Sequence, residues 1–343
     1  MKSRSRNILY LFSFSPAAVV VYGNLHGQYF SVLNIVYSLI VLALIEWLTP
    51  PLTTNEHSQK DDTMPKLILW MHVPVQLFCV GTLFYGIHQH ILEGYWILTA
   101  ALSTGLNSGS SAIVVSHELI HRKNTVEQWM GKLLLFTAGN MYFYIDHLRV
   151  HHKWVGTQKD HATARLGESV YGFFIRSAAG QLKGAVQLEA DRLKKSGYAA
   201  YGLHNYVIRQ FVMHAGVIVA LYFVLGYVAV AAFVIQCFFA NFLLEYVNYI
   251  QHYGLTRNEN QRATEEHSWD CDQFVSRFVL VDLARHADHH YYASKPYHTL
   301  QHYSNSPKLP TGYAGLFFIA AIPAWWRSII HPRIPTADVS SAA

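Results

Sequence analysis

The 343-residue chain is 52% hydrophobic and only 14% charged. Ordinary soluble domains carry about 25% charged residues, so the composition excludes a soluble protein of this length. The formal net charge of +5 comes from Lys and Arg scattered beside apolar runs, which marks membrane topology, and no nucleic acid is expected as a partner. Cys79, Cys237 and Cys271 show no CxxC spacing, which excludes a disulfide framework, a thiolate zinc site and a built-in iron–sulfur carrier.

A helix needs about 20 mostly apolar residues to cross the hydrocarbon. In chain order, six segments read as spans: 7–23, 29–48, 66–87, 95–115, 208–225 and 227–250. The first lacks a signal-peptide cleavage site and reads as a span. The fourth carries Ser103, Thr104, Gly105, Asn107, Ser108, Gly109, Ser110 and Ser111. Small residues of this kind let helices pack closely, or they line a cavity. The connections 24–30, 88–94 and Gly226 hold no Lys or Arg. By the positive-inside rule, both termini and the long segments 116–207 and 251–343 are then cytoplasmic. The apolar stretch 128–146 begins and ends on that face, so it reads as re-entrant or interfacial. Residues 176–200 read as a charged helix on the cytoplasmic surface. The expected fold is an all-α integral membrane protein with about six transmembrane helices and a cytoplasmic, histidine-rich di-metal site. One domain is expected over 1–335, with a disordered tail at 336–343.

Of 21 histidines, nine fall into four clusters just past span ends. HELIH places His117 and His121 at i and i+4, on one helix face. HLRVHH places His147 and His151 at the same spacing, with His152 one residue around. His252 ends the sixth span in NYIQHYG, and RHADHH supplies His286, His289 and His290. Neutral imidazole is a metal ligand. Nine such donors exceed the four of one structural zinc and suggest two metals. HELIH alone also matches the zinc metalloprotease pattern, with Glu118 as general base. That reading leaves most of the set without a role, because a catalytic zinc takes about three protein ligands. A transporter would place its ligands along a path through the membrane, not beside it. Carboxylates or amides should orient the imidazoles, and Asp288, Asp146 and Gln251 are the neighbours in sequence.

HELIHR, DHLRVHH, NYIQHYGL and LARHADHH, with RLGESVYGF, EEHSWDCDQFVSRFVL and LPTGYAGLF, resemble the membrane-bound alkane 1-monooxygenase family and its xylene monooxygenase relatives, within the fatty-acid desaturase and hydroxylase superfamily. The resemblance runs from about residue 95 to 335. It implies six spans, a cytoplasmic pair of iron ions held by the nine histidines, and O2-dependent hydroxylation of a terminal carbon such as that of an n-alkane. Aromatic-methyl hydroxylation and acyl desaturation are the alternatives within the superfamily. It also implies an external electron donor, a rubredoxin or ferredoxin-type carrier with its reductase. A basic surface near Lys183, Arg192, Lys194 and Lys195 is one docking candidate, and ordinary positive-inside charge is the other reading of it. The substrate is expected to enter from the bilayer through a tunnel near Tyr37 and Ser38. A bacterial inner membrane is the expected location. The chain departs from the family pattern at Gln251 and Asp146, where relatives often carry Glu, and at Asp160-His161, where they carry Asp-Pro.

Overall fold

The computed structural model describes residues 3–55 and 63–335, so the expected tail at 336–343 lies outside the described residues. Among the described residues the structure is helical, and the one β contact is an isolated bridge between Asp270 and Lys308. Among the described residues, four helices are long and apolar enough to cross a membrane: Arg6–His26, Gln28–Leu48, Thr63–His88 and Tyr206–His252. The last has 47 residues, about 70 Å of helix, more than twice the hydrocarbon thickness of about 30 Å. Gly226, at φ 80°, breaks it into two limbs, and these are the two segments that the sequence separates at 226. The remaining expected span, 95–115, lies in a continuous helical run over 96–120. Its hydroxyl and amide side chains keep it out of the apolar set.

That polar helix sits in the middle of the bundle. A Cβ on Gly105 would lie 2.7 Å from the Gln236 carbonyl oxygen, and one on Gly109 would lie 2.9 Å from Leu243 Cβ. The small residues therefore do serve close helix packing. Its polar side chains find partners between helices: Gln76 Nε2 donates to Ser108 Oγ at 2.8 Å, and Ser108 Oγ to Gln236 Oε1 at 2.6 Å. Outward faces are apolar instead. Phe223 is 80% exposed and Trp47 78%, a surface suited to lipid rather than water.

The segment expected to re-enter is built from a 13-residue helix, Thr125–Thr137, about 20 Å long and too short to cross. Asn124 caps it, accepting from Val126 N and Glu127 N, as Asn does at N-caps. Helix Val170–Lys195 follows, capped by Ser169. One buried lock joins the first helix to the distal loop. Asp282 accepts from Arg6 NH2 at 2.6 Å, from Arg277 Nε at 2.7 Å and from the Tyr10 hydroxyl.

Candidate metal centre

All nine clustered histidines converge. Their donor nitrogens form two groups, each within 4.8 Å: His117, His121, His147, His152 and His289 in one, and His151, His252, His286 and His290 in the other. Local structure decides the partition. His117 lies in the last turns of the run 96–120 and His121 is its C-cap, at i and i+4, and both join the first group. In helix His286–Tyr291, His286 and His290 join the second group while His289 turns to the first.

The second cluster corrects the sequence reading. His147 and His151 do not serve the same group, because His147–His151 is a π-helix. Its i→i+5 register brings His152 Nε2 to 2.9 Å from His147 Nε2 and sends His151 to the other group. A second π segment, Ser108–Ile113, precedes HELIH.

The donor set fits metal ions. His121 and His147 approach Nε2 to Nε2 at 3.0 Å, and His152 and His289 at 3.1 Å. In the other group, His252 and His286 stand at 3.1 Å, and His290 and His286 at 2.9 Å. Nitrogens this close can share one ion at bonds about 2.1 Å long, and five donors in one group exceed the four of tetrahedral zinc. The buried Nε2 atoms of His117 and His151 have no hydrogen-bond partner among the described residues. Burial, reinforced by neighbouring imidazoles, holds His147, His152, His286, His289 and His290 well below the ordinary imidazole range. They are neutral at pH 7, the form that donates a lone pair.

The partner that orients an imidazole is Asp160. Its Oδ2 accepts from His151 Nδ1 at 2.9 Å and from Thr163 Oγ1 at 2.7 Å. Burial opposes the charge on both partners, but their mutual attraction outweighs it, so the pKa of His151 is raised and that of Asp160 lowered. Asp160 lies nine residues from His151, beyond any helical spacing, so only the fold brings them together.

Of the three expected orienting groups, Asp288 and Gln251 bond elsewhere, and Asp146 makes no bond to an imidazole. Asp288 accepts from Lys295 Nζ at 2.5 Å, Gln301 N at 2.6 Å and the Tyr303 hydroxyl at 3.0 Å, fastening loop 295–303 beneath the histidine helix. Gln251 Nε2 donates to the Tyr313 hydroxyl at 2.6 Å. Both oxygens of Asp146 are buried without a partner. Burial, aided by Asp160 and opposed by His151, pushes its carboxyl up to about 8. Adjacency in sequence misled because consecutive helical side chains point about 100° apart. The His161 ring packs on Gly180 and belongs to neither group. Glu118 Oε1 is engaged by Arg122 at 2.7 Å and by Tyr297 N at 3.2 Å.

Beside the centre lies an apolar cavity of about 90 Å³, walled by Leu39, Leu42, Leu106, Val247 and Phe317 among others. Ser38 lines it, and Tyr37 packs against the main core. Val114 lines this cavity and also a small one that contains His117 and His289.

The family described as Fatty acid desaturase matches residues 93–320. Alkane 1-monooxygenase 1 of Pseudomonas aeruginosa is 37% identical over 264 residues, covering 74% of this chain and 69% of the relative. Alkane 1-monooxygenase 1 of Alcanivorax borkumensis is 34% identical over 280 residues, covering 80% and 69%. The xylene/toluene monooxygenase hydroxylase component XylM of Pseudomonas putida is 26% identical over 279 residues, covering 79% and 74%. The chain belongs to the alkane and xylene monooxygenase family, oxidoreductases within the fatty acid desaturase family.

Proposed function

We propose that this chain is an O2-dependent monooxygenase that converts the terminal methyl of a hydrophobic chain, such as a medium- or long-chain n-alkane, to a primary alcohol. His117, His121, His147, His152 and His289 hold one iron, and His151, His252, His286 and His290 the other. The balance is R–CH3 + O2 + 2e⁻ + 2H⁺ → R–CH2OH + H2O, with the electrons supplied by an external carrier. Six membrane spans place both termini and the histidine centre on the cytoplasmic side of a bacterial inner membrane. The observation that carries this reading is the pair of imidazole groups that adjoins an apolar cavity through one side chain, Val114.

Bound iron supplies the activation of dioxygen that no side chain here can perform. The protein does the rest. An alkane is already dissolved in the bilayer and gains about 0.8 kcal/mol for each CH2 it buries in an apolar cavity. Leu42, Leu106 and Val247 hold the chain, and Val114, Val281 and Leu283 keep water from the approach to His117 and His289. Asp160 holds the proton of His151 on Nδ1 and leaves Nε2 free to ligate. Against a zinc protease, Glu118 is tied into an ion pair, and nine convergent donors exceed the three protein ligands of a catalytic zinc.

The test supplies reductant and a carrier to purified protein and assays n-alkanes, xylenes and acyl chains by gas chromatography. A 1-alkanol is expected. A methyl-oxidised xylene without any alkanol would move the assignment to the aromatic branch. No oxygenated product from iron-loaded protein, with peptide cleavage in its place, would overturn the reading.

A further inference from the structure

A polar cleft of about 550 Å³ opens at the histidine centre, and it shares no lining residue with the apolar cavity. Its lining includes His152 of the five-histidine group and His290 of the four-histidine group. These two rings stack, with centroids 4.7 Å apart and planes inclined by 30°. One patch of surface therefore adjoins a donor from each group.

The rim is cationic and aromatic. Lys153, Arg257 and Arg262 line it against a single carboxylate, Glu259, which is already paired with Lys159 Nζ at 2.5 Å. Lys153 and Lys159 flank the Trp154 ring at 4.7 and 4.5 Å, and Arg262 stands 5.0 Å from the Tyr291 ring and 5.8 Å from that of Tyr292. Stacked cations and rings form a firm surface with excess positive charge. The other basic patch differs. Lys183, Lys194 and Lys195 are exposed on helix Val170–Lys195, but they do not line the cleft, and Arg192 there is spent on Glu189.

We propose that the Lys153–Arg262 cleft is the docking surface for a small acidic one-electron carrier protein, which passes its electrons through the stacked His152 and His290 rings. This rests on the monooxygenase reading above. Electron-transfer partners meet through small interfaces, under about 1,200 Å², and opposite charge sets their encounter rate more than their final affinity. Two carriers are each oxidised by one electron per turnover, dioxygen is the acceptor, and solvent supplies two protons. The chemistry of the rim selects an acidic partner.

The experiment uses full-length, iron-loaded protein in detergent or nanodiscs. Turnover is driven either by a reduced rubredoxin or plant-type ferredoxin as probe, or by a small chemical reductant with a dye mediator. K153E/R262E should raise the KM for the carrier at least tenfold at low ionic strength, with mediator-driven turnover unchanged. The difference should shrink as salt rises, because screening removes it. The milder K153Q/R262Q, expected to raise KM about threefold, stands in if charge reversal impairs folding. K194E/K195E should leave the carrier KM in place. An unchanged KM in both cleft variants, or an equal rise in K194E/K195E, overturns the docking assignment. Mediator-driven oxygenation in the parent protein shows that the enzymatic reading survives that failure. Absence of oxygenation with either electron source would instead strike the monooxygenase reading itself.

Discussion

Asp160 sets the tautomer of His151, and with it the direction of one lone pair. Its bond to Nδ1 at 2.9 Å leaves Nε2 as the free donor. Removing such a partner typically costs about 10- to 100-fold in metal affinity. Asp160→Asn should therefore lower the metal affinity of the four-histidine group by that factor, read by metal titration, and leave that of the five-histidine group in place. Equal loss from both groups would show that Asp160 acts on folding instead. Gly312 is a second decisive position. A Cβ there would lie 1.6 Å from the Glu46 carboxylate, which accepts from Ser276 N at 2.8 Å. Gly312→Ala should destabilise the protein by about 1–3 kcal/mol through overpacking, seen as a lower Tm. At this scale the sequence was partly legible. The nine histidines stood out by spacing and compartment. Asp160 did not, because its contact is made across a loop, and Asp288 and Gln251 attracted attention only by sitting beside ligands whose rings point elsewhere.

Among the elements, the π-helix His147–His151 does the most for the site. A regular α-helix would set His147 above His151. The wider turn sets it above His152 and frees His151 for the second group. No hydrophobic period announces a π-turn, which is why the sequence supports the clusters but not their partition. Deleting Val150 should restore α-geometry, keep a histidine pair for the first group and turn His151 by about 100°. Iron content should then fall from about two ions per chain to about one. Retention of both ions would show that the π-turn is dispensable. The bundle itself was more readable: length and apolarity marked the spans, and Gly226 marked the break in Tyr206–His252. The helix 96–120 is the exception, since its hydroxyls and amides are satisfied by neighbours that only the packed bundle supplies. Val114, at the junction of the two cavities, should gate the approach. Val114→Phe is expected to cut turnover of long n-alkanes at least tenfold while leaving metal content intact.

For the whole molecule, the buried histidines make stability depend on pH in a definite direction. His147, His152, His286, His289 and His290 are held low in the fold, while in the unfolded chain they titrate near 6.5. Below that value the unfolded state binds more protons, so stability falls as pH falls. His117, His121 and His252 are held low as well; His151, Asp146, Glu118 and Asp270, all raised, act in the opposite sense, but eight groups outweigh four. The metal-free protein should lose Tm between pH 6.5 and 5, and a rise over that window would contradict the assignment of neutral, buried imidazoles.

The most direct measurement is the metal content of the purified protein, by mass spectrometry with Mössbauer spectroscopy on 57Fe-grown material. The account predicts about two irons per chain, in two sites with different numbers of nitrogen ligands. One stoichiometric zinc with no iron, or a single iron that resists loss when His252 and His290 are replaced by Ala, would contradict it.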